Sequence, residues 1–160
     1  MKIRAETRND VPLIAALIRE LAAYEKLAHE VVATEDTLAA TLFGARPGAE
    51  VAIAELDDAP AGFALFFPNY STFLGRPGIY LEDLFVRPEF RARGVGRALL
   101  VHLAGLALER GCGRLEWAVL DWNVPAVGFY EKLGPELMRD WTTFRLAGDA
   151  LLRLARDRRS

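Results

Sequence analysis

The stretch YLEDLFVRPEFRARGVGRALL, residues 80–100, joins a strand-like pattern to a helix-like pattern through a loop that is rich in arginine and glycine. A strand-to-helix connection needs only a turn residue and a cap, so packing alone does not account for the arginines at positions 87, 91, 93 and 97. Glycine lets the backbone approach a ligand closely, and the first N–H groups of a helix lack partners within it. The loop is therefore predicted to bind an anion such as a phosphate or a pyrophosphate. A glycine-containing turn with solvated arginines is the alternative interpretation.

Helix and strand patterns alternate along the rest of the chain. Apolar spacings of three and four residues, together with capping residues, predict helices over Val11 to about Leu27, between Thr34 and Gly44, and over 94–110, 124–133 and 149–157. Alternating and apolar runs predict strands over 2–7, 50–56, 61–67, 79–86, 114–120 and 142–146, with a loop over 68–78. The turn-like DDAP between the second and third strands predicts an antiparallel hairpin. This order predicts an α/β fold with a mixed sheet covered by helices.

Composition limits the possible partners. A chain of 160 residues with 52% hydrophobic content predicts one domain over residues 1–160. The formal charge of −2 gives no general attraction to nucleic acid or to acidic membranes, so anion binding has to be local. The single cysteine excludes an intrachain disulfide and fits a cytoplasmic location. No apolar run approaches the roughly 18 residues of a membrane span, so no membrane association is expected.

Two common phosphate-binding loops do not match the segment. The loop of nucleoside triphosphatases ends in Gly-Lys-Ser or Gly-Lys-Thr, whereas Gly96 is followed by Arg97 and Ala98. A dinucleotide-binding turn has a small residue where this chain has Leu99.

Three stretches instead resemble the GNAT-type acetyl-CoA-dependent N-acetyltransferases, closest to the branch that acetylates spermidine, spermine and thialysine. Arg91 to Gly96 matches that family's Gln/Arg-x-x-Gly-x-Gly/Ala motif, within YLEDLFVRPEFRARGVGRALL. ELAAYEKL at 20–27 and DWNVPAVGFYEKLG at 121–134 match as well. The resemblance implies a single-domain fold with a mixed, mostly antiparallel central sheet flanked by helices. It also implies acetyl-CoA as co-substrate, a small-molecule amine as partner, and a homodimer.

The resemblance assigns a cofactor role to three segments. The strand before the loop would pair with the pantetheine arm, the loop would hold the pyrophosphate, and the start of the next helix would contact the other side of the cofactor. These residues are Leu84, Phe85 and Val86, then Arg91, Ala92, Arg93, Gly94, Val95, Gly96 and Arg97, then Asn123 and Ala126.

The resemblance likewise assigns the chemistry. Tyr130 falls on the tyrosine that protonates the departing thiolate, and Glu82 on the group that accepts the proton of the amine. Accepting that proton matters because an amine with a pKa near 10.4 needs roughly 4–5 kcal/mol to free its lone pair at neutral pH. Neighbouring strand residues point to opposite faces, so only one of Glu82 and Asp83 is expected to face the amine.

The resemblance also implies which residues bind the amine that accepts the acetyl group: Tyr24, Glu25, Glu82, Asp83 and Trp117. Taken without the resemblance, the Glu82–Asp83 pair also fits an exposed edge or a structural ion pair, and Tyr130 also fits a core aromatic.

The predicted reaction is direct transfer of an acetyl group from acetyl-CoA to a primary amine of a polyamine or of a lysine-like amino acid such as thialysine. His29 and His102 lack metal-ligand spacing, so no metal is predicted. Two alternatives remain: a non-catalytic module that binds or senses acetyl-CoA, and an acetyltransferase that acts on a protein amine.

Overall fold

A computed structural model describes residues 1–159 of the chain. Its strands form one five-stranded sheet in the order β1-β2-β3-β4-β5. The strands are β1 (Lys2–Ala5), β2 (Glu50–Leu56), β3 (Ala59–Ser71), β4 (Arg76–Val86) and β5 (Leu115–Trp117). The α-helices are α1 (Val11–Tyr24), α2 (Glu35–Leu42), α3 (Val95–Glu109), α4 (Val124–Glu131) and α5 (Gly148–Arg156). Strands β1 to β4 pair antiparallel and β5 pairs parallel to β4, which confirms the mixed, mostly antiparallel sheet.

The chain divides into two compact units, one over Met1–Ala118 and one that begins at Val119. The first unit contains the whole sheet with α1, α2 and α3, and the second contains α4 and α5. Within the described residues, no helix combines the length and the apolarity that a membrane span needs.

Both faces of the sheet are covered in the first unit. On one face, a buried cluster joins the two N-terminal helices to the central strands: Ile14, Leu17, Leu21, Leu42, Val51, Ile53, Phe63 and Phe85. The residues that alternate with this cluster along the strands, such as Ala52 and Phe66, are buried too, and α3 packs against the sheet with Leu99 and Leu103 fully buried. The predicted apolar stripes of α1 and α3 therefore account for the core.

The prediction of a loop over residues 68–78 is wrong. Strands β3 and β4 continue through it as a paired ribbon up to the Ser71–Arg76 pair, so only residues 72–75 form the turn. Pro68 is tolerated because β2 stops pairing with β3 at Phe66, and beyond that point β3 is an edge strand on that side.

A bulge in β4 sets the direction of the acidic side chains. Leu65 pairs with Asp83 while the next residue, Phe66, pairs with Leu81, so Glu82 is an extra residue. Paired residues share a face and neighbours alternate, so the bulge places Leu81 and Asp83 on opposite faces. Because Leu65 packs against the α1 cluster, Asp83 faces the α1 side of the sheet.

The second unit contains fewer strands and helices than the sequence pattern predicts. The prediction of a strand over 142–146 is wrong, because the structure assigns these residues neither strand nor helix. Alternation alone does not make a strand when no partner strand is available, and Phe144 is 90% exposed here. The predicted strand over 114–120 is also shortened to β5, which pairs with β4 at three positions.

Candidate active site

The loop between β4 and α3 has the backbone geometry of an anion site. Ala92 and Gly94 both adopt left-handed conformations, with φ of 58° and 83°. Gly94 is the N-cap of α3 and has no side chain to satisfy the free amides of the first turn. The free N–H groups and the positive end of the helix dipole therefore favour an anion at this place.

Packing does not explain the glycine at position 94. A Cβ atom built there would meet no atom within 4 Å, so the space in front of the loop is open. The glycine is accounted for by its positive φ and by the close approach that a bare backbone allows. The loop therefore leaves room for an anion in front of its backbone amides.

The four arginines of this region have different partners. Arg87 makes a two-pronged ion pair with Glu20 at 2.7 and 2.9 Å and also donates to the Pro60 carbonyl, so it is structural. Arg93 pairs with Asp57 at 2.7 Å, and both side chains are exposed. Asp57 lies in the β2–β3 turn, and sequence analysis missed it because nothing in that turn indicates a loop 36 residues away.

The side chain of Arg91 is directed toward α1. Its Nε donates to the Val86 carbonyl at 3.0 Å, and its guanidinium carbon lies 4.5 Å from the centre of the Tyr24 ring. Arg97 is exposed on the first turn of α3. The arginines that remain available to a bound anion on the surface of the loop are Arg93 and Arg97.

Glu82 and Asp83, near the C-terminal end of β4, form an acidic group with Glu25 at the end of α1. Burial raises the pKa of Asp83 to about 6, with further contributions from the negative charges of Glu82 and Glu25. Burial also raises the pKa of Glu25, which follows directly after α1. Glu82, at the bulge, is exposed. A half-buried carboxyl group that titrates near neutral pH beside two other carboxylates attracts a cation and accepts a proton from it.

The other predicted residues of the first unit lie near this group along the strands. Leu84 and Val86 are half-buried and Phe85 is buried on β4, between the acidic group and the loop. Trp117, the last residue of β5, pairs with Leu81, the residue before Glu82. The structure thus brings Asp83, Phe85 and the Arg91 side chain to Tyr24 and Glu25 on the α1 side of the sheet. Trp117 shares the face of its partner Leu81, which is opposite to that of Asp83, so the structure does not bring Trp117 into this group.

Three predicted residues belong to the second unit. Asn123 is buried and caps α4, where its side-chain oxygen accepts the N–H of Ala126 at 3.4 Å. Pro125 in the first turn further favours a helix start there. Tyr130 lies on the last turn of α4 with its ring 5.2 Å from that of Phe129. The helix predicted after DWN is confirmed.

No metal centre is visible in the part of the chain that the structure describes. Among residues 1–159, no group of three or more His, Cys, Asp or Glu side chains has an arrangement able to hold a metal ion.

Comparison with known proteins agrees with this geometry. The acetyltransferase (GNAT) family matches residues 15–134. The thialysine N-epsilon-acetyltransferase of Bos taurus is 40% identical, covering 96% of each chain. The L-ornithine N5-acetyltransferase of Arabidopsis thaliana is 37% identical over 94% of this chain and 86% of the relative. Among solved structures, an integron cassette protein from the mobile metagenome of V. cholerae superimposes with a TM-score of 0.81 at 30% identity, covering 96% of each chain.

The uncapped glycine loop between β4 and α3, the five-stranded sheet and these relatives lead to one conclusion. The chain belongs to the GNAT family of acetyltransferases.

Proposed function

We propose that the protein transfers the acetyl group of acetyl-CoA to a primary amine of a small lysine-like molecule by direct attack. The observation that carries this proposal is the acidic group formed by the half-buried Asp83 and the exposed Glu82 on β4, the strand that leads into the anion loop, together with Glu25 at the end of α1. Three carboxyl groups favour a cationic acceptor, which is the form of a primary amine at neutral pH.

The cofactor fits the loop through backbone amides and arginine charge. We infer that Ala92 to Gly96 hold the pyrophosphate with their N–H groups, and that Arg93 and Arg97 neutralise its charge. We also propose that acetyl-CoA is bound by the main chain of Leu84 to Val86 and by Asn123 and Ala126 at the start of α4. When bound, acetyl-CoA supplies a thioester, whose carbonyl carbon is the electrophile.

The chain's own residues handle the protons. Glu82, directly or through a water, takes one proton from the bound ammonium, and the freed lone pair forms the new C–N bond as the C–S bond breaks. The electron pair of the broken bond goes to sulfur, and Tyr130 donates its O–H proton there. Glu82 then releases its proton to solvent and Tyr130 regains one from solvent, which restores both groups. A phenol is slightly weaker as an acid than a thiol, so a hydrogen bond that strengthens as charge develops on sulfur is sufficient. The second proton of the amine nitrogen is lost to solvent.

The names of the relatives narrow the acceptor. Thialysine and ornithine are both amino acids with a primary amine at the end of the side chain, and we propose an acceptor of this kind. Ser71 at the end of β3 and Thr72 in the turn that follows stand in place of carboxylates, which fits a polyamine with several charges less well. Tyr24, Glu25, Asp83 and Trp117 are the proposed acceptor residues.

The experiment is release of free thiol from acetyl-CoA with thialysine, ornithine and spermidine offered separately. We expect the two amino acids to be preferred and Glu82→Gln to lower kcat by at least about a hundredfold, the lower end of the typical contribution of a general base. Glu35→Gln, which removes an exposed carboxylate from α2, is the matched control and should leave kcat unchanged.

Each alternative has its own outcome in this assay. Acetyl-CoA binding without amine-dependent thiol release would support a sensing module. Release with a lysine-containing peptide but with none of the free amines would support a protein acetyltransferase.

Three broader statements are also proposals. We propose one GNAT domain over residues 1–160, because the family match at 15–134 spans both compact units. A homodimer is supported by the family resemblance and by the exposed Trp141, Phe144 and Leu146 of the second unit. A cytoplasmic location is supported by the single cysteine.

A further inference from the structure

We propose that Arg91, the first residue of the pyrophosphate motif, is a positioning residue for the amine acceptor: its side chain holds the end of α1 against β4 instead of binding phosphate. This inference rests on the proposed function. It changes the expected role of one residue in the loop and links the cofactor loop to the acceptor side.

The contacts of Arg91 have a defined direction. Nε donates to the Val86 carbonyl at 3.0 Å, which fixes the plane of the guanidinium group. That group lies over the Tyr24 ring, with its carbon 4.5 Å from the ring centre, and 5.8 Å from the centre of the buried Phe85 ring. A guanidinium group within 6 Å of the centres of two aromatic rings is attracted to both, and the two contacts together with the hydrogen bond favour one orientation.

A second arginine attaches the same end of α1. Arg87 binds Glu20 with two hydrogen bonds, at 2.7 and 2.9 Å. Glu20 and Tyr24 are four residues apart and therefore lie on one face of the helix. The connection between β4 and α3 thus contacts the last two turns of α1 through two independent arginine contacts.

The acceptor side depends on where α1 ends. Directly after Tyr24 comes Glu25, whose charge acts on Asp83, and the chain then reverses at Lys26, which has a φ of 61°. The reversal is closed by the Leu27 N–H, which donates to the Ala22 carbonyl at 2.8 Å. A shift of Tyr24 therefore moves Glu25 relative to Asp83, and with it the charge that the amine meets.

The loop does not need the Arg91 side chain for charge. Arg93 is exposed and its partner Asp57 is exposed as well, so a phosphate can replace that carboxylate. Within the residues that the structure describes, the side chain of Arg97 takes part in no hydrogen bond or ion pair. These two side chains and the backbone amides are sufficient for a pyrophosphate.

The test compares Arg91→Ala, Arg91→Lys and Arg97→Ala in the full-length protein. Acetyl-CoA affinity is measured by calorimetry, and the amine KM is measured with thialysine at saturating acetyl-CoA. For Arg91→Ala we expect an acetyl-CoA Kd within about threefold of wild type and an amine KM raised at least about tenfold. Arg97→Ala should show the reverse pattern.

Arg91→Lys separates charge from geometry. Lysine keeps the positive charge but lacks Nε and the planar group, so it should resemble Arg91→Ala in amine KM. If Arg91 instead bound phosphate, Arg91→Lys would largely restore the acetyl-CoA affinity that Arg91→Ala loses. Combining Arg91→Ala with Tyr24→Leu should raise the amine KM little beyond Tyr24→Leu alone, because the contact that Arg91→Ala removes is already absent when Tyr24 is replaced.

Hydrogen exchange gives a readout that does not depend on activity. Arg91→Ala should accelerate amide exchange over residues 21–27, whereas Arg97→Ala should not. The inference would be overturned by an Arg91→Ala protein that loses at least about tenfold in acetyl-CoA affinity while its amine KM and its exchange over 21–27 stay at wild-type values. If the wild-type protein binds acetyl-CoA but acetylates no amine, the proposed function fails, and exchange and calorimetry still decide the role of Arg91.

Discussion

Asp83 lies where burial and two acidic neighbours all disfavour its charged form. Its pKa is about 6 rather than 3.8, with burial as the largest cause, followed by Glu82 and then Glu25. Because the folded protein holds this proton more tightly than the unfolded chain, ionisation of Asp83 lowers stability as the pH rises from about 4 to about 6. A side chain that costs stability at neutral pH is typical of a binding or catalytic site.

Replacing Asp83 with the uncharged asparagine should therefore stabilise the protein at alkaline pH. The shift from 3.8 to about 6 corresponds to a penalty on the order of 3 kcal/mol above pH 7, which Asp83→Asn removes. The gain should fall to about half at pH 5 and vanish near pH 3, as measured by urea unfolding at each pH. Asp58→Asn, which removes a carboxylate from the exposed β2–β3 turn, is the matched control. A gain that is equal at pH 5 and pH 8 would show that the charge of Asp83 is not the cause.

Tyr130→Phe tests the proposed acid for the departing thiolate. Removing the hydroxyl leaves the ring and its contact with Phe129, so α4 should keep its structure. We expect kcat to fall at least about tenfold, because a hydrogen bond formed as charge develops on sulfur contributes to turnover rather than to binding. Acetyl-CoA affinity by calorimetry should change less than about twofold. Unchanged turnover would remove Tyr130 from the mechanism.

At the scale of elements, the turn from β4 into α3 depends on Gly94. Any residue with a Cβ at position 94 has to adopt a φ of 83°, and its side chain enters the open space in front of the loop. Gly94→Val should raise the acetyl-CoA Kd at least about tenfold and lower stability by about 1 kcal/mol. Calorimetry and thermal unfolding measure the two effects separately.

Gly105 provides the matched control on the same helix. A Cβ at this position also meets nothing within 4 Å, but its φ is ordinary for a helix. Gly105→Ala should leave acetyl-CoA affinity unchanged and stabilise the protein by about 0.5–1 kcal/mol. If both variants kept normal affinity, the loop would not be the pyrophosphate site.

Elements with strong local signals were predictable from the sequence. The start of α2 at the Thr34 cap, the start of α4 after Asn123 and the bounds of β2 all agree with the structure, because capping residues and apolar periods act over a few residues. The turn between β4 and α3 was predictable for the same reason, since Gly94 starts the helix through its local backbone geometry.

The predictions that were wrong concern residues whose structure depends on partners distant in the sequence. Residues 68–78 contain prolines and glycines that favour a loop, yet pairing between β3 and β4 makes most of them strand. The bulge at Glu82 and the contact of Arg91 with Tyr24 follow from register and packing, for which one sequence carries no signal. Residues 142–146 show the opposite case, a strand pattern without a partner strand.

At the scale of the whole molecule, the second unit carries apolar side chains that the described chain leaves exposed. Trp141, Phe144 and Leu146 are 73%, 90% and 52% exposed, and the leucines of α5 are more than half exposed. A contiguous patch of exposed apolar side chains marks an interaction surface in proteins, and these side chains all lie between residues 141 and 154. The proposed occupant is a second copy of the chain.

The dimer predicts a particle of twice the chain mass of 17.7 kDa in light scattering after gel filtration. Phe144→Lys should shift the protein toward the monomer mass, because a charge buried in an apolar interface without a partner opposes association. Val32→Lys is the matched control: Val32 is 88% exposed in the first unit, outside the segment in question, and its replacement should leave the mass unchanged. A wild-type protein that stays at the monomer mass up to the concentrations used in the assay would exclude the dimer. Because Tyr130 and Asn123 belong to the same unit as Phe144, a monomeric Phe144→Lys protein with full turnover would show that the dimer is not required for acetyl transfer.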